Sequence, residues 1–348
     1  MKNRVFITGA QGFVGRYLVA HWLETDPEVE ILGVGRSPFV PDRFTHKIHH
    51  GNIEIQAPLP AHLKIGSRRY KYVSLDIRQR AHLSRLLQTH RPNMIVHLAS
   101  YLRGDNVAGY FETNVGGTIA LMEAVAESAL EITKLVIGST GGVYGAPSAT
   151  ELPLKETALC NPLDLYAVSK LASEQASRIL GQQHDIATVW VRLFNLIGAG
   201  QQELHVCGRF AAQVADVVCG ASPRVIRVGP LDATRDFIDV RDAAAALEFI
   251  ANQANPGQTY NLGSGRETSI KDVLETILEA AGLSRITIER VDEHSTAIPR
   301  HFAAIERLKL LGFESKYQLK SSAENLMNYY LHEVTQYAEV TASEGGLN

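Results

Sequence analysis

The first fifteen residues constrain this chain more than any others. Val5-Phe6-Ile7 is a short apolar run suited to a buried strand, and Thr8-Gly9-Ala10-Gln11-Gly12-Phe13-Val14-Gly15 follows it directly. Phe13, Val14, Tyr17, Leu18 and Trp22 then recur at helical spacing on one face. A strand that turns through glycines into a helix brings backbone amides together at the positive end of the helix dipole. Glycine lets a diphosphate approach those amides closely. The spacing is G-x-x-G-x-x-G rather than G-x-G-x-x-G. A structural strand-to-helix turn is the plain alternative, and its place after one clean strand argues against that alternative.

The rest of the chain keeps the same rhythm. Apolar, β-branched runs at Val29–Val34, Tyr72–Leu75, Met94–Leu98, Leu135–Ile137 and Val189–Phe194 read as strands covered on both faces. Helical patterns separate them, among them Leu83, Leu86 and Leu87 on one face. Strict alternation predicts an α/β fold, a Rossmann-type doubly wound parallel sheet. After Phe194 isolated helices (Cys207–Cys219, Ser269–Ala281, Leu319–Glu333) and short strands predict a smaller mixed α/β C-terminal substrate lobe. Ser269 with Asp272 forms a capping-box start for the middle one. The expected division is 1–194 with 236–263 returning to it, then 195–235 with 264–335, then a flexible tail at 336–348.

Composition narrows the function classes. With 348 residues, 45% of them hydrophobic, the chain fills a core. A formal charge of -3 from 34 basic and 37 acidic residues gives no footprint for nucleic acid or an anionic membrane. A small-molecule partner is expected. Cys160, Cys207 and Cys219 lie far apart and are odd in number, which indicates neither a disulfide framework nor a zinc site, and no metal is expected. Met1 leads straight into the first strand and no apolar stretch is long enough to span a bilayer, so a cytoplasmic location is expected.

The second strand ends Gly33-Val34-Gly35-Arg36-Ser37. An acid there would accept bonds from a free ribose 2′-hydroxyl, whereas a guanidinium pairs with a 2′-phosphate. Arg36 stands there without an acid, so NADP(H) is favoured over NAD(H), with a solvated surface arginine as the bland reading. Asp76, after the third strand, either accepts a bond from an adenine amino group or caps the following helix.

Tyr166-Ala167-Val168-Ser169-Lys170 lies on a helix expected to begin near Asp164. Residues four apart share a face, so the ammonium of Lys170 is expected to lower the pKa of Tyr166 and fit it for proton exchange with a sugar oxygen. Upstream, Ser139 and Thr140 place hydroxyls at the tip of a parallel strand, and either would bond the same oxygen. An exposed amphipathic pair is the alternative for Tyr166 and Lys170, and the ordered company of the other motifs weighs against it.

These residues resemble a family, the extended short-chain dehydrogenase/reductases and their nucleotide-sugar epimerase and dehydratase group. The likeness covers nearly the whole chain: Thr8–Gly15, His97-Leu98-Ala99-Ser100, Asn114-Val115-Gly116-Gly117-Thr118, Ser139–Gly145, Tyr166–Lys170, Arg192-Leu193-Phe194-Asn195 and Arg235–Val240. Arg227–Asp236 looks most like the branch containing GDP-mannose 4,6-dehydratase and GDP-4-keto-6-deoxymannose reductase. The resemblance implies an enzyme with Tyr166 as acid/base, Lys170 on the nicotinamide ribose, and Thr140, with Ser139, in the proton network. It implies a dinucleotide lined by Gly9, Gln11, Gly12, Phe13, Val14, Gly15, Arg36, Asp76, Ile77, Leu98, Ala99, Ser100, Asn114 and Leu193. For a nucleotide-diphosphate sugar it implies Asn195, Arg209, Arg227, Arg235 and Arg300, since planar guanidinium groups bind phosphate oxygens two at a time. Base recognition falls to the second lobe, with His205, Arg209 and His301 as participants. A homodimer through the 111–129 helix and the Tyr166 helix is also implied.

Departures from the family pattern are informative. A 4,6-dehydratase carries an acid within two residues of its active-site threonine, whereas Thr140 is followed by Gly141-Gly142. Dehydration is therefore disfavoured, leaving reduction of a 4-keto sugar or epimerisation. Epimerases usually retain NAD, so Arg36 leans the reading towards a reductase. A redox-sensing binding protein without chemistry is a third reading, opposed by the joint presence of Thr140, Tyr166 and Lys170. The stretch Ser100–Asn106 is unlike the serine-rich segment expected. The long connection 37–71, with Pro38, Pro41, His46, His49 and His50, fits no ligand spacing and is expected to be a solvated flap.

Overall fold

The computed structural model describes residues 3–51, 53–102, 106–291 and 298–338. The first half alternates as expected: β1 (Arg4–Thr8), α1 (Phe13–Thr25), β2 (Glu30–Gly35), a hairpin of β3 (Arg43–His50) and β4 (Ile53–Pro58), β5 (Tyr70–Ser74), α2 (Arg80–His90) and β6 (Met94–His97). A short α3 (Val107–Gly109) runs through a π-helical stretch (Tyr110–Gly116) into α4 (Gly117–Ser128). Then come β7 (Lys134–Thr140), α5 (Leu165–Gln183), β8 (Thr188–Leu193) and β9 (Asn195–Ile197).

The second half holds α6 (Val206–Val218), β10 (Val225–Val228), β11 (Thr234–Arg235), β12 (Phe237–Asp239), α7 (Val240–Gln253), β13 (Thr259–Leu262) and β14 (Thr268–Ser269). It ends with α8 (Ile270–Ala280), β15 (Thr287–Arg290), β16 (Arg300–His301), α9 (Glu306–Leu310), α10 (Leu319–Asn328) and a π-helical turn (Tyr329–Glu333). Ser269 and Asp272 cap α8 reciprocally, as the sequence indicates.

Seven parallel strands form the central sheet in the order β13-β8-β7-β6-β1-β2-β5. The order reverses between β1 and β6, and open sheets of this kind bind ligands at that switch point, beyond the strand C-termini. Apolar side chains cover both faces. Val5, Ile7, Val136 and Val189 join one cluster with α1 and α7, while Phe6, Ile95, Leu135 and Ile137 join another with α2 and α4. The remaining sheets are fragments: β10 with β15, β14-β11-β16, β12 with β9, and the β3–β4 hairpin.

The 37–71 connection is not a solvated flap. Phe44, Ile48, Ala57, Leu59 and Leu63 are at most 1% exposed and belong to the same cluster as α6 and the π-helical turn. Phe44 packs on Phe13 with centroids 6.2 Å apart, and Tyr329 donates a hydrogen bond from its hydroxyl to the Pro58 carbonyl at 3.0 Å. Alternation explains the error: Phe44 and Ile48 lie on the buried side of β3, whereas most of the intervening residues that give the segment its polar look do not. At the other end, residues 336–338 are helical and Ala338 is buried; the expected tail from 339 to 348 lies outside the described residues.

Candidate active site

Thr8 and His97 end the two strands that flank the switch point, and their side chains meet there at 2.7 Å (Oγ1 to Nδ1). The Thr8 hydroxyl also accepts the Ala99 N–H at 3.1 Å, so it donates to the imidazole. His97 Nε2 lies 2.9 Å from Thr118 Oγ1, which donates onward to the Asn114 carbonyl at 2.6 Å. Burial pushes this imidazole down to about 3, with the Lys170 charge adding, so it is neutral with the proton on Nε2. Asn114 bonds the Tyr101 N–H at 2.7 Å, the Tyr101 carbonyl at 3.1 Å and Ser169 Oγ at 2.9 Å. The loop 98–101 and α5 are thereby held to one frame.

The glycine turn fits the expected cradle. Gly9 has φ +72, and a Cβ on it would come within 2.7 Å of the Ala99 nitrogen. A Cβ on Gly15 would meet the Gly9 carbonyl at 2.2 Å, so α1 packs against the turn only as built. Gly12 precedes α1 and no side chain caps the first amides. Open amides, a turn with no room for a Cβ and the unpartnered, buried Ser139 hydroxyl together fit a dinucleotide laid across β1 and β6. Phe13 and Val14 flank the turn as partly buried residues against the core. Gln11 is buried with its side chain turned to residues 37–40, leaving its backbone to the turn. Ile77 lies buried against Gly117, Leu98 packs by Gly138, and Leu193 is partly buried at the end of β8.

Arg36 is exposed just beyond β2. The Asp76 carboxylate is taken by Arg78, with Arg78 Nη2 to Oδ2 at 2.7 Å, and this bond leads in holding it below its ordinary value. Asp76 does not cap α2, whose N-cap is Gln79.

Asp164 caps α5 by accepting the Ala167 N–H at 2.8 Å. Tyr166 is half-buried and Lys170 is buried one turn on. The expected lowering of the phenol is overturned: burial pushes Tyr166 up to about 12, Asp164 adds to the rise, and a hydrogen bond with Ser100 opposes it. Burial also brings Lys170 down to about 8, with Glu174 opposing. Desolvation of the phenolate thus outweighs whatever the ammonium contributes. Ser139 and Thr140 part company because successive strand residues face opposite ways. Ser139 is buried, while Thr140 is partly open and accepts the Gly142 N–H at 3.1 Å. The Gly142 position abuts Ala167, so this turn sits on α5 next to Tyr166.

The second lobe separates the arginines. On the β11–β16 ladder Thr234 pairs with Arg300 and Arg235 with His301. The first pair faces Glu267, to which Arg300 gives two bonds at 2.6 Å. The second pair faces the turn after Thr140: His301 Nε2 lies 3.1 Å from the Gly141 carbonyl and its ring 5.2 Å from that of Phe194. Burial, with the Arg235 charge adding, pushes His301 down to about 4. Arg235 is half-buried and bonds the Thr234 and Ile298 carbonyls. Arg227 is exposed in an ion pair with Glu289, Arg209 is half-buried on α6, and Asn195 is exposed and donates to the Asp236 carbonyl at 3.1 Å. Of the stretch Ser100–Asn106, Arg103, Gly104 and Asp105 lie outside the described residues.

Sequence reasoning gave no role to His97 or Asp236. Asp236 is a buried carboxylate that accepts the Ser264, Gly265 and Ala303 N–H groups and joins three segments of the second half of the chain. A polar residue ending an apolar strand was the available signal for His97. Among the described residues no cluster of His, Cys, Asp and Glu is arranged for a metal ion, and no helix is long and apolar enough to cross a membrane.

The chain is similar to several known proteins. GDP-6-deoxy-D-mannose reductase of Pseudomonas aeruginosa is 28% identical over 297 residues, 84% of each chain. A UDP-glucose 4-epimerase of Streptomyces lividans is 28% identical over 298 residues, 81% of this chain and 82% of that one. The solved structure of RMD from Pseudomonas aeruginosa complexed with NADPH superposes with a TM-score of 0.78 at 24% identity, covering 95% of this chain and 99% of that one. The profile of the NAD dependent epimerase/dehydratase family matches residues 5–263, and the chain belongs to that family of enzymes.

Proposed function

We propose that this chain is an NADP(H)-dependent reductase of a nucleotide-4-keto-6-deoxyhexose. The observation that carries the reading is the turn after Thr140. A Cβ at Gly141 would press on the Phe194 ring at 3.1 Å, and one at Gly142 would meet Ala167 Cβ at 3.5 Å. The turn has no carboxylate and Gly141 has little room for one, so the carbon acids of a dehydration have no base at this place. A phenol held near 12 is protonated at neutral pH, which suits donation to a ketone better than removal of a proton from an alcohol.

The nicotinamide, when bound, supplies the hydride. Tyr166 donates its proton to the keto oxygen, and Thr140 Oγ1 bonds the same oxygen. Lys170 holds the nicotinamide ribose and stabilises the phenolate left on Tyr166. Arg235, on the face that looks towards the turn, binds the diphosphate. The similarity to GDP-6-deoxy-D-mannose reductase supports this assignment.

Epimerisation is the second reading, favoured by the equal identity to a UDP-glucose 4-epimerase. Purified protein mixed with NADPH and GDP-4-keto-6-deoxymannose is expected to consume NADPH in step with ketone. Protein that instead arrives with tightly held NAD and interconverts UDP-hexoses without added cofactor would establish the epimerase. The rate of reduction is expected to fall as pH rises through about 8, where Lys170 loses its proton. A rate that climbs through that range would show a catalytic base in place of the acid.

A further inference from the structure

Between Arg36 and Arg43 the chain leaves β2 beside the glycine turn, and side chains from α1 and β5 and the turn itself grip its backbone. Ser74 donates to the Arg36 carbonyl at 3.0 Å and the Tyr72 hydroxyl donates to the Ser37 carbonyl at 2.7 Å. Gln11 Nε2 donates to the Pro38 carbonyl at 2.7 Å, while its Oε1 accepts the Val40 N–H at 2.8 Å. Arg16 Nη2 donates to that same Oε1 at 2.7 Å and also to the Val40 carbonyl. A Cβ at Gly35 would lie 2.8 Å from the Tyr72 hydroxyl, so the glycine before Arg36 makes room for this bond.

Arg16 is the unusual member. It is 2% exposed, its Nε has no partner, and its guanidinium lies 5.7 Å from the Phe39 ring centroid. Among the described residues no carboxylate lies within ion-pair distance of it, and burial holds it below its ordinary value. A buried cation without a counter-charge is costly. The charge of Asp42 offsets that burial only in part, which leaves Arg16 attractive to a further anion.

We propose that Gln11, Arg16 and Tyr72 are positioning residues for cofactor selection. They fix the backbone that follows Arg36, from Ser37 to Val40, and Arg16 adds positive potential at the end of β2, where a phosphate monoester on the adenosine ribose would sit. The proposal rests on Arg36 being the ligand of that phosphate.

The test is fluorescence titration of the full chain with NADPH and NADH, with 2′-phosphorylated AMP and AMP as competing probes. Arg36→Ala, Gln11→Ala and Tyr72→Phe are compared, with a thermal melt of each to confirm folding. Arg36→Ala is expected to lower the NADPH-to-NADH affinity ratio by about tenfold or more, the size of a lost charged hydrogen bond. Gln11→Ala and Tyr72→Phe are expected to lower it by about threefold to tenfold, because they loosen the same guanidinium without removing it. An unchanged ratio in Arg36→Ala overturns both the ribose assignment and the inference. A ratio that falls in Arg36→Ala alone, or equal weakening of all four nucleotides in the other two variants, overturns the inference and leaves Arg36 in place.

Discussion

The two sides of the proposed site are built by different means. On the cofactor side, Thr8, His97, Thr118 and Asn114 exchange hydrogen bonds within one parallel sheet and the helices on it, and their side chains are spoken for before any ligand arrives. On the sugar side, ladders of two or three strands carry Arg227, Arg235 and Arg300, and register alone decides which guanidinium looks inward. A satisfied buried network keeps its geometry because each loosened bond leaves a desolvated group behind. A short ladder presents side chains more cheaply, and a neighbouring carboxylate can claim them, as Glu267 claims Arg300 and Glu289 claims Arg227.

Four measurements press on that contrast. The largest effect is expected from Tyr166→Phe, which removes the proton donor and, of the frame, only the bond to Ser100. Turnover should fall by about a hundredfold to ten-thousandfold while NADPH affinity, read by fluorescence, stays near wild type. Matching losses in both would mean that the phenol serves the frame after all.

His97→Leu should break the cofactor side itself. It leaves the Thr8 hydroxyl proton without an acceptor and takes one of several bonds from Thr118, so a loss of about 1–3 kcal/mol in denaturant unfolding is expected. A neutral result would show that the network does not hold the switch point. On the sugar side, Arg235→Met should raise KM for the nucleotide sugar by about tenfold with kcat little changed, whereas Arg300→Met should stay within about twofold. Reversal of those two would place the diphosphate on the Glu267 face.

The broadest effect concerns acid. His97 is pushed down to about 3, and His46 and His301 to about 4, all chiefly by burial. Each folded value lies below the ordinary imidazole value of about 6.5, so the unfolded chain binds more protons in the interval between. Stability is therefore fully present above about pH 6.5 and declines as pH falls towards about 4. Melting temperatures that hold steady between pH 7 and 5 would contradict the buried neutral imidazoles, on both sides of the site at once.

Much of this was legible in the residues. The central strands fall within a few residues of their expected places, because an apolar β-branched run between helical patterns has few other uses. Asp164 opens the Tyr166 helix, and Ser269 with Asp272 opens α8, because a cap depends on residues three apart. The hairpin at 37–71 was misread since its alternation is masked by histidines and prolines whose burial only α6 and the C-terminal segment explain. The Tyr166 phenol was misread for a related reason. Spacing puts Lys170 on its face, but the desolvation that outweighs the ammonium comes from the surroundings.

The sequence by itself determined what lies within one element's reach: the glycine turn at the head of α1, the tyrosine and lysine on one helical face, the carboxylate-free turn after Thr140. Only the tertiary structure decided that Arg235 and His301 face that turn while Arg300 faces away, that Thr140 rather than Ser139 is open, and that Arg16 is buried with no carboxylate in direct contact among the described residues. The physical reason is range. Backbone periodicity fixes neighbours three or four residues apart, whereas strand register and desolvation depend on segments a hundred residues distant that leave no mark on local spacing.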